Sequence, residues 1–258
     1  MKKRAVLFLL VLIALIAAPA VLAPFYEPAI LMYHSVGYPE DHPGPYVTPA
    51  VFEHQMEFLK AHHYRVLPLA ELVSEIKSGK KIPMETVAIT FDDGYLDNFK
   101  NAFPVLKKMD FPATIFMITG NIGRENWLSE EDLRILDGSG VTVGSHTVHH
   151  AFLPGLPQAE VHNEIYDSKK RLEAVLGHPV TLFSYPAGGT TSKIMGFVRS
   201  AGYEGAVTTN YGSERCNPFA LHRVKIGDAH GNLFNFWIKV SGFYHLGKKH
   251  VSAVNADE

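Results

Sequence analysis

Two acidic side chains stand side by side in the run Thr90-Phe91-Asp92-Asp93-Gly94-Tyr95, at the end of an apolar, β-branched stretch. Adjacent carboxylates there can divide the work, one holding a cation while the other stays free as a base. Gly94 permits a sharp turn after them. The N-cap of a following helix would use the same pair, so on its own the pair reads either way. A second cluster is Ser145-His146-Thr147-Val148-His149-His150. His146 and His150 are four apart, a spacing that places two imidazoles on one side of a helical turn. That arrangement suits a transition metal with a carboxylate as third ligand. It also leaves positions open for water and substrate, as a catalytic metal needs. His149 competes with His150 for the second imidazole position, and a solvated histidine-rich loop is the plain alternative. A third run, Phe183-Ser184-Tyr185-Pro186-Ala187-Gly188-Gly189, is an aromatic-Pro-Gly turn. Such a turn can aim a backbone N–H into a site, or be a turn and nothing more.

These residues need elements to position them. From Pro28 onward short apolar runs alternate with helical stretches. Strands are expected over 29–33, 64–69, 86–91, 113–118, 141–145, 182–185, 205–208 and 221–226. Thr48-Pro49 reads as an N-cap with Pro at the first helical position. Further helices are expected over 70–77, over 96–109 with a kink at Pro104, from Ser129 to near Gly138, over 158–176 and over 192–201. Repeated strand-helix alternation implies a parallel sheet flanked by helices, and seven or eight units imply a barrel rather than an open sheet. In a parallel barrel chemistry belongs at the C-terminal ends of the strands. His34, Asp92-Asp93, His146 and Tyr185-Pro186 all fall at such ends.

The chain has 258 residues, 47% apolar and 19% charged, with a net charge of -2. That composition suits a globular domain with a sizeable core, and the absence of a basic block argues against nucleic acid as a partner. The single cysteine, Cys216, excludes an internal disulfide and a Cys-based zinc site, and beside Asn217-Pro218 it reads as a small loop side chain. Lys2-Lys3-Arg4 precede an uncharged run over 5–26. A basic start followed by an apolar run is the pattern of a signal peptide or a signal anchor, and this run is long enough to span a bilayer as a helix. Val21-Leu22-Ala23 offers a cleavage site that Pro24 disfavours. The positive flank belongs in the cytoplasm, so residues 27–258 are expected to form one extracytoplasmic domain, membrane-anchored or secreted. The tail after His245 is polar and is expected to fray.

Taken together and in this order, the three runs resemble the polysaccharide deacetylase family, also called the NodB homology domain or carbohydrate esterase family 4. Thr90-Phe91-Asp92-Asp93-Gly94 is similar to its first motif, and His146-Thr147-x-x-His150 with Ser145 before it to its second. The resemblance covers roughly residues 28–226 and implies a distorted (β/α) barrel. It implies that Asp93, His146 and His150 bind a divalent metal, by default Zn2+, although Co2+ and Ni2+ suit the same ligands. It implies that Asp92 is the general base and that the backbone N–H of Tyr185 helps stabilise the oxyanion. The substrate class it implies is an N-acetylated glycan, with machinery for polysaccharide synthesis or export as further partners.

The chain departs from the family pattern in two places. The usual Arg-Pro-Pro-Tyr third motif is replaced by Ser184-Tyr185-Pro186, which has no arginine. With Met32-Tyr33-His34, this form looks like the subgroup acting on exported poly-N-acetylglucosamine. Arg223 is the expected replacement for orienting Asp92. The usual late Leu-x-His motif is not plain, and His34 is the residue left to supply a proton or bind substrate, or else to serve as a satisfied structural histidine. Peptidoglycan, chitin oligomers or a smaller amide or ester are alternative substrates for the same site. A reading of another class is an inactive, membrane-tethered glycan-binding protein, which retention of Asp92 together with the metal ligands disfavours.

Overall fold

The computed structural model describes residues 21–38, 44–209, 217–228 and 231–248. The apolar run up to residue 20, Cys216 and the tail beyond Lys248 lie outside the described residues. Among the described residues no helix is long and apolar enough to cross a membrane.

Among the described residues eleven strands form: β1 Ala29–Tyr33, β2 Ser35–Val36, β3 Tyr46–Val47, β4 Arg65–Val66, β5 Thr86–Phe91, β6 Ala113–Met117, β7 Val141–Ser145, β8 Leu182–Ser184, β9 Gly205–Thr208, β10 Leu221–His222 and β11 Val224–Lys225. The helices that alternate with them are α1 Pro49–Ala61, α2 Leu69–Lys77, α3 Phe103–Met109, α4 Glu130–Asp137, α5 Gln158–Leu176, α6 Ser192–Ser200 and α7 Leu233–Val240. Eight parallel strands follow in the order β10-β9-β8-β7-β6-β5-β1-β11, with β4 added beside β5. β10 and β11 are two halves of one run that breaks at Arg223. One half pairs with β9 and the other with β1, so the order returns on itself and the barrel is nearly closed. The expected strand over 221–226 is thus interrupted at the residue whose side chain enters the site.

Alternation along the strands divides the core in two. Ile30, Ala88, Phe116, Leu182, Val207 and Leu221 pack together with Leu69, Leu72 and Val73 of α2. Their neighbours in sequence, among them Leu31, Ile89, Ile115, Phe183 and Ala206, pack against the outer helices. Gly144 is needed for this packing, because a Cβ there would lie 2.6 Å from the Phe116 ring.

Most expected elements form within a residue or two. Ser129 caps α4 through a reciprocal pair with Asp132. Thr48 stands at the N-cap of α1, although its side chain makes no cap bond, and Pro49 is at N1. The expected strand over 64–69 shrinks to Arg65–Val66. The expected helix over 96–109 begins as a wider turn at Asn98–Ala102, with the Phe103 N–H reaching back to the Asn98 carbonyl. Pro104, which has no N–H to give the preceding turn, follows directly. The parallel pair of β2 and β3, and helix α7, were not expected.

Candidate active site

Register brings the strand ends to one rim. Tyr33 lies opposite Phe91, Phe91 opposite Ile115, Met117 opposite Ser145, and Ser145 opposite Phe183. The residues that follow are His34, Asp92 and His146, so three separate segments present chemistry at one mouth. The backbone past each strand stays tied to its neighbour: Asp92 N–H donates to the Tyr33 carbonyl and His146 N–H to the Met117 carbonyl, both at 3.0 Å. Asp93 and Gly94 then turn with φ of 73° and 89°. Only glycine fits at position 94, since a Cβ there would lie 2.1 Å from Met117 Sδ.

Asp93, His146 and His150 converge. Asp93 Oδ1 lies 3.7 Å from His146 Nε2 and 3.6 Å from His150 Nε2, and the three ligand atoms fall within 4.8 Å of one another. Asp93 Oδ1 is buried without a hydrogen-bond partner. His146 is buried, and its Nδ1–H donates to the Ser184 carbonyl at 2.8 Å, which fixes the tautomer and leaves the Nε2 lone pair facing the carboxylates. Burial pushes His146 down to about 4, so it is neutral near pH 7. Burial, then the Asp92 charge, pushes Asp93 up to about 7, while the Tyr95 hydroxyl that donates to Asp93 pulls the other way.

No helical turn spans 146–150; Thr147 and His150 instead adopt φ of 66° and 58°. Glu164 of α5 imposes this path. Its Oε2 accepts the backbone N–H groups of Val148 at 2.8 Å and His149 at 2.9 Å, and its Oε1 holds His149 Nδ1 at 2.7 Å. His149 is thereby turned outward, its side chain 73% exposed, while His150 reaches Asp93. The spacing of four therefore brings His146 and His150 together by a loop route rather than a helical one.

Asp92 does a different job from Asp93. Arg223 Nη1 donates to Asp92 Oδ1 and Nη2 to Oδ2, each at 2.6 Å. The guanidinium is also held by Thr90 Oγ1 at 3.2 Å and Ser184 Oγ at 2.9 Å, and it lies over the Phe116 ring. Burial opposes the Asp92 charge, but the Arg223 guanidinium, with His146 beside it, outweighs burial and holds the carboxyl well below the usual range. Asp92 Oδ2 is 3.8 Å from His146 Nε2, so the paired carboxylate borders the metal-type cluster without joining it.

His34 Nδ1 is buried without a partner, and burial pushes the ring down to about 4 against the pull of Asp92. Tyr185 is a correction. Its N–H donates to the Val207 carbonyl at 3.1 Å, continuing the β8–β9 ladder, so it is spent on the sheet and is not available to an oxyanion. Its hydroxyl donates to the Phe219 carbonyl. Two residues on, Ala187 is exposed with φ 51°. Pro186 has no N–H, and the N–H groups of Gly188 and Gly189 turn back to the Tyr185 and Pro186 carbonyls, so Ala187 carries the amide that these turn bonds leave over. Ser184 and Glu164 were not expected as site residues, because a lone serine and a polar residue on a long helix give no local signal.

The arrangement has counterparts among known proteins. The polysaccharide deacetylase family model matches residues 79–206. YxkH of Bacillus subtilis, whose name assigns it provisionally to the polysaccharide deacetylases, is 36% identical over 213 residues, covering 81% of this chain and 75% of the relative. The poly-beta-1,6-N-acetyl-D-glucosamine N-deacetylase of Staphylococcus aureus is 29% identical over 213 residues, covering 74% of this chain and 71% of the relative. Among solved structures, the Streptococcus pyogenes deacetylase PplD in complex with acetate superposes with a TM-score of 0.74 at 28% identity, covering 83% of this chain and 99% of that one. With the first two motifs on one rim and relatives of this similarity over most of its length, the chain belongs to the polysaccharide deacetylase family.

Proposed function

We propose that the chain removes N-acetyl groups from an N-acetylglucosamine polysaccharide outside the cytoplasmic membrane, using a divalent metal held by Asp93, His146 and His150. The observation that carries this reading is the division between the two adjacent carboxylates. One faces two imidazoles with an unpartnered oxygen, and the other, 3.8 Å from His146 Nε2, is held at two points by Arg223. A protein that only binds glycan has no use for a buried, separately held carboxylate at its mouth.

The residues fit a metal. Three convergent donors, two imidazole nitrogens and a carboxylate oxygen, suit Zn2+, and also Co2+ or Ni2+. Bound there, the cation supplies the Lewis acidity that polarises an amide carbonyl and acidifies water, which a base as weak as Asp92 requires. Asp92 accepts the proton of the attacking water, and Arg223 keeps both carboxylate oxygens aimed while it does so. The Ala187 amide is assigned to the developing oxyanion in place of Tyr185, a contribution of about 3 kcal/mol for such donors. His34, neutral at rest, is assigned to the side of the departing amine, to which it relays the proton that Asp92 takes from water. The products are acetate and a free amine.

The substrate is inferred from the Staphylococcus aureus relative, whose printed name specifies poly-beta-1,6-N-acetyl-D-glucosamine. The location is inferred from the basic start and the uncharged run over 5–26, which together fit a signal anchor with the domain outside. Acetate release, measured with purified full-length chain and added Zn2+, tests the substrate. β-1,6-linked N-acetylglucosamine oligomers should be deacetylated at least tenfold faster than chitin oligomers or peptidoglycan fragments. A preference for either of the latter replaces the substrate, and no release from any of them removes the reading.

A further inference from the structure

Helix α7 is apolar on both sides. Phe236 and Val240 are fully buried, Phe236 lying edge-on to Phe58 of α1, and Lys239 donates back to the Lys225 carbonyl. On the other side Leu233, Phe234, Trp237 and Ile238 face solvent, with Phe234 63% and Trp237 48% exposed. Positions three and four apart line up on one face of a helix, and the Phe234 and Trp237 rings lie 5.8 Å apart on it. Contiguous apolar surface of this kind marks a face that meets a partner.

What covers it follows from where the chain enters the fold. Tyr26 packs edge-on against Phe243 at 5.9 Å, and Glu27 N–H donates to the Gly242 carbonyl at 3.0 Å, just past the end of α7. Gly242 cannot be replaced without moving Tyr26, because a Cβ there would lie 2.2 Å from that ring. Tyr26 ends the uncharged run over 5–26, and Val21, Leu22 and Phe25 of that run are exposed. An apolar segment long enough to span a bilayer therefore joins the domain beside the apolar stripe. The stripe itself has the makeup of a membrane interface: a tryptophan and a phenylalanine among aliphatics, with Lys225 and Lys248 exposed nearby on long stems.

We propose that Leu233, Phe234, Trp237 and Ile238 rest in the headgroup layer of the bilayer that holds the N-terminal run, so that the domain lies down on α7. The proposal rests on the membrane placement given above and adds an orientation to it. Tyr26 is bonded to Thr86, the first residue of β5, whereas Asp92 follows the last. A domain held by its entry point alone would keep the catalytic rim a strand's length further out, about 20 Å for six residues. The chain leaves β11 at the rim, where Asp228 accepts the Thr48 N–H, and α7 ends beside the entry point at Gly242. Laying it on the bilayer turns the barrel axis toward the membrane plane and lowers the rim to glycan emerging at the surface.

The chain has two tryptophans, so Trp127→Phe leaves Trp237 as the sole emitter. In full-length chain reconstituted into phosphatidylcholine–phosphatidylglycerol vesicles, Trp237 emission should be quenched by lipids brominated near the headgroup and shielded from aqueous iodide. The triple variant Leu233→Ser, Phe234→Ser, Ile238→Ser changes outward side chains only. It should keep its circular-dichroism melt and its vesicle binding yet lose most of the quenching. Vesicle-bound chain with Trp237 open to iodide overturns the docking and leaves the anchor standing. Chain that does not sediment with vesicles overturns both. Shielding that persists without brominated lipid dependence, in a species of doubled mass, overturns it in favour of a second copy of the chain.

Discussion

Arg223 and Asp92 are 131 residues apart and meet at two points, each guanidinium nitrogen 2.6 Å from its own carboxylate oxygen. Both side chains are buried, and the break between β10 and β11 that lets the barrel close is the same break that turns Arg223 inward. Asp92 is thus aimed by the strand that closes the fold. Its counterpart Asp93, one residue on, is left with an unpartnered oxygen.

Removing Arg223 strands a buried charge. Arg223→Met should lower kcat/KM for acetate release by about 100-fold or more and cost about 3–5 kcal/mol of stability, the usual consequence of breaking one side of a buried pair. Arg223→Lys keeps the charge but not the fork and should recover only part of the activity. Both should keep their metal, measured by elemental analysis. Arg223→Met with wild-type kcat/KM would show that Asp92 needs no partner.

Metal affinity should depend on pH in a defined direction. Asp93 is pushed up to about 7 in the metal-free protein, so below that pH a proton must leave before the cation binds. His146, down at about 4, is already neutral and adds nothing to the dependence above that pH. The apparent affinity measured by chelator competition should fall about tenfold per pH unit below about 7 and level off above it. A flat profile between pH 5.5 and 8 would contradict the burial argument for Asp93.

The two neighbouring histidines should separate cleanly. His150→Ala should lose most of its bound metal, whereas His149→Ala should keep it, because His149 points to Glu164 and solvent. Glu164→Ala releases the loop that delivers His150 and should weaken metal binding by about 10–100-fold, the range for groups that orient ligands. Equal metal loss in the two histidine variants, or loss only in His149→Ala, would reverse the assignment.

Which parts of this were legible in the sequence follows from how local each signal is. The carboxylate pair and the two histidines announce themselves because strand end and side-chain type coincide within a few residues. Arg223 is legible only indirectly, since the third motif lacks its arginine and a late strand end carries one. Tyr185 was misread because no local pattern says which amide a sheet ladder consumes; only the pairing of Ser184 with Val207 shows that its N–H is taken. Glu164 looks like any acidic residue on a long helix until the loop it holds is seen. Helix α7 is not legible because its eight residues are fewer than the stretch over which a helical period can be read. The strand at Arg65–Val66 is short because β4 pairs only with the first two residues of β5.

The proposed mechanism sets a metal at Asp93, His146 and His150 beside a separate base at Asp92. The most direct measurement is acetate release from a β-1,6-linked N-acetylglucosamine oligomer by chelator-stripped enzyme to which one equivalent of Zn2+ is returned, for wild type and Asp92→Asn side by side. That mechanism requires wild-type activity to disappear on stripping and to return with zinc, while Asp92→Asn binds the same equivalent of zinc and stays inactive. Undiminished release by the stripped wild type, or by zinc-loaded Asp92→Asn, would contradict it.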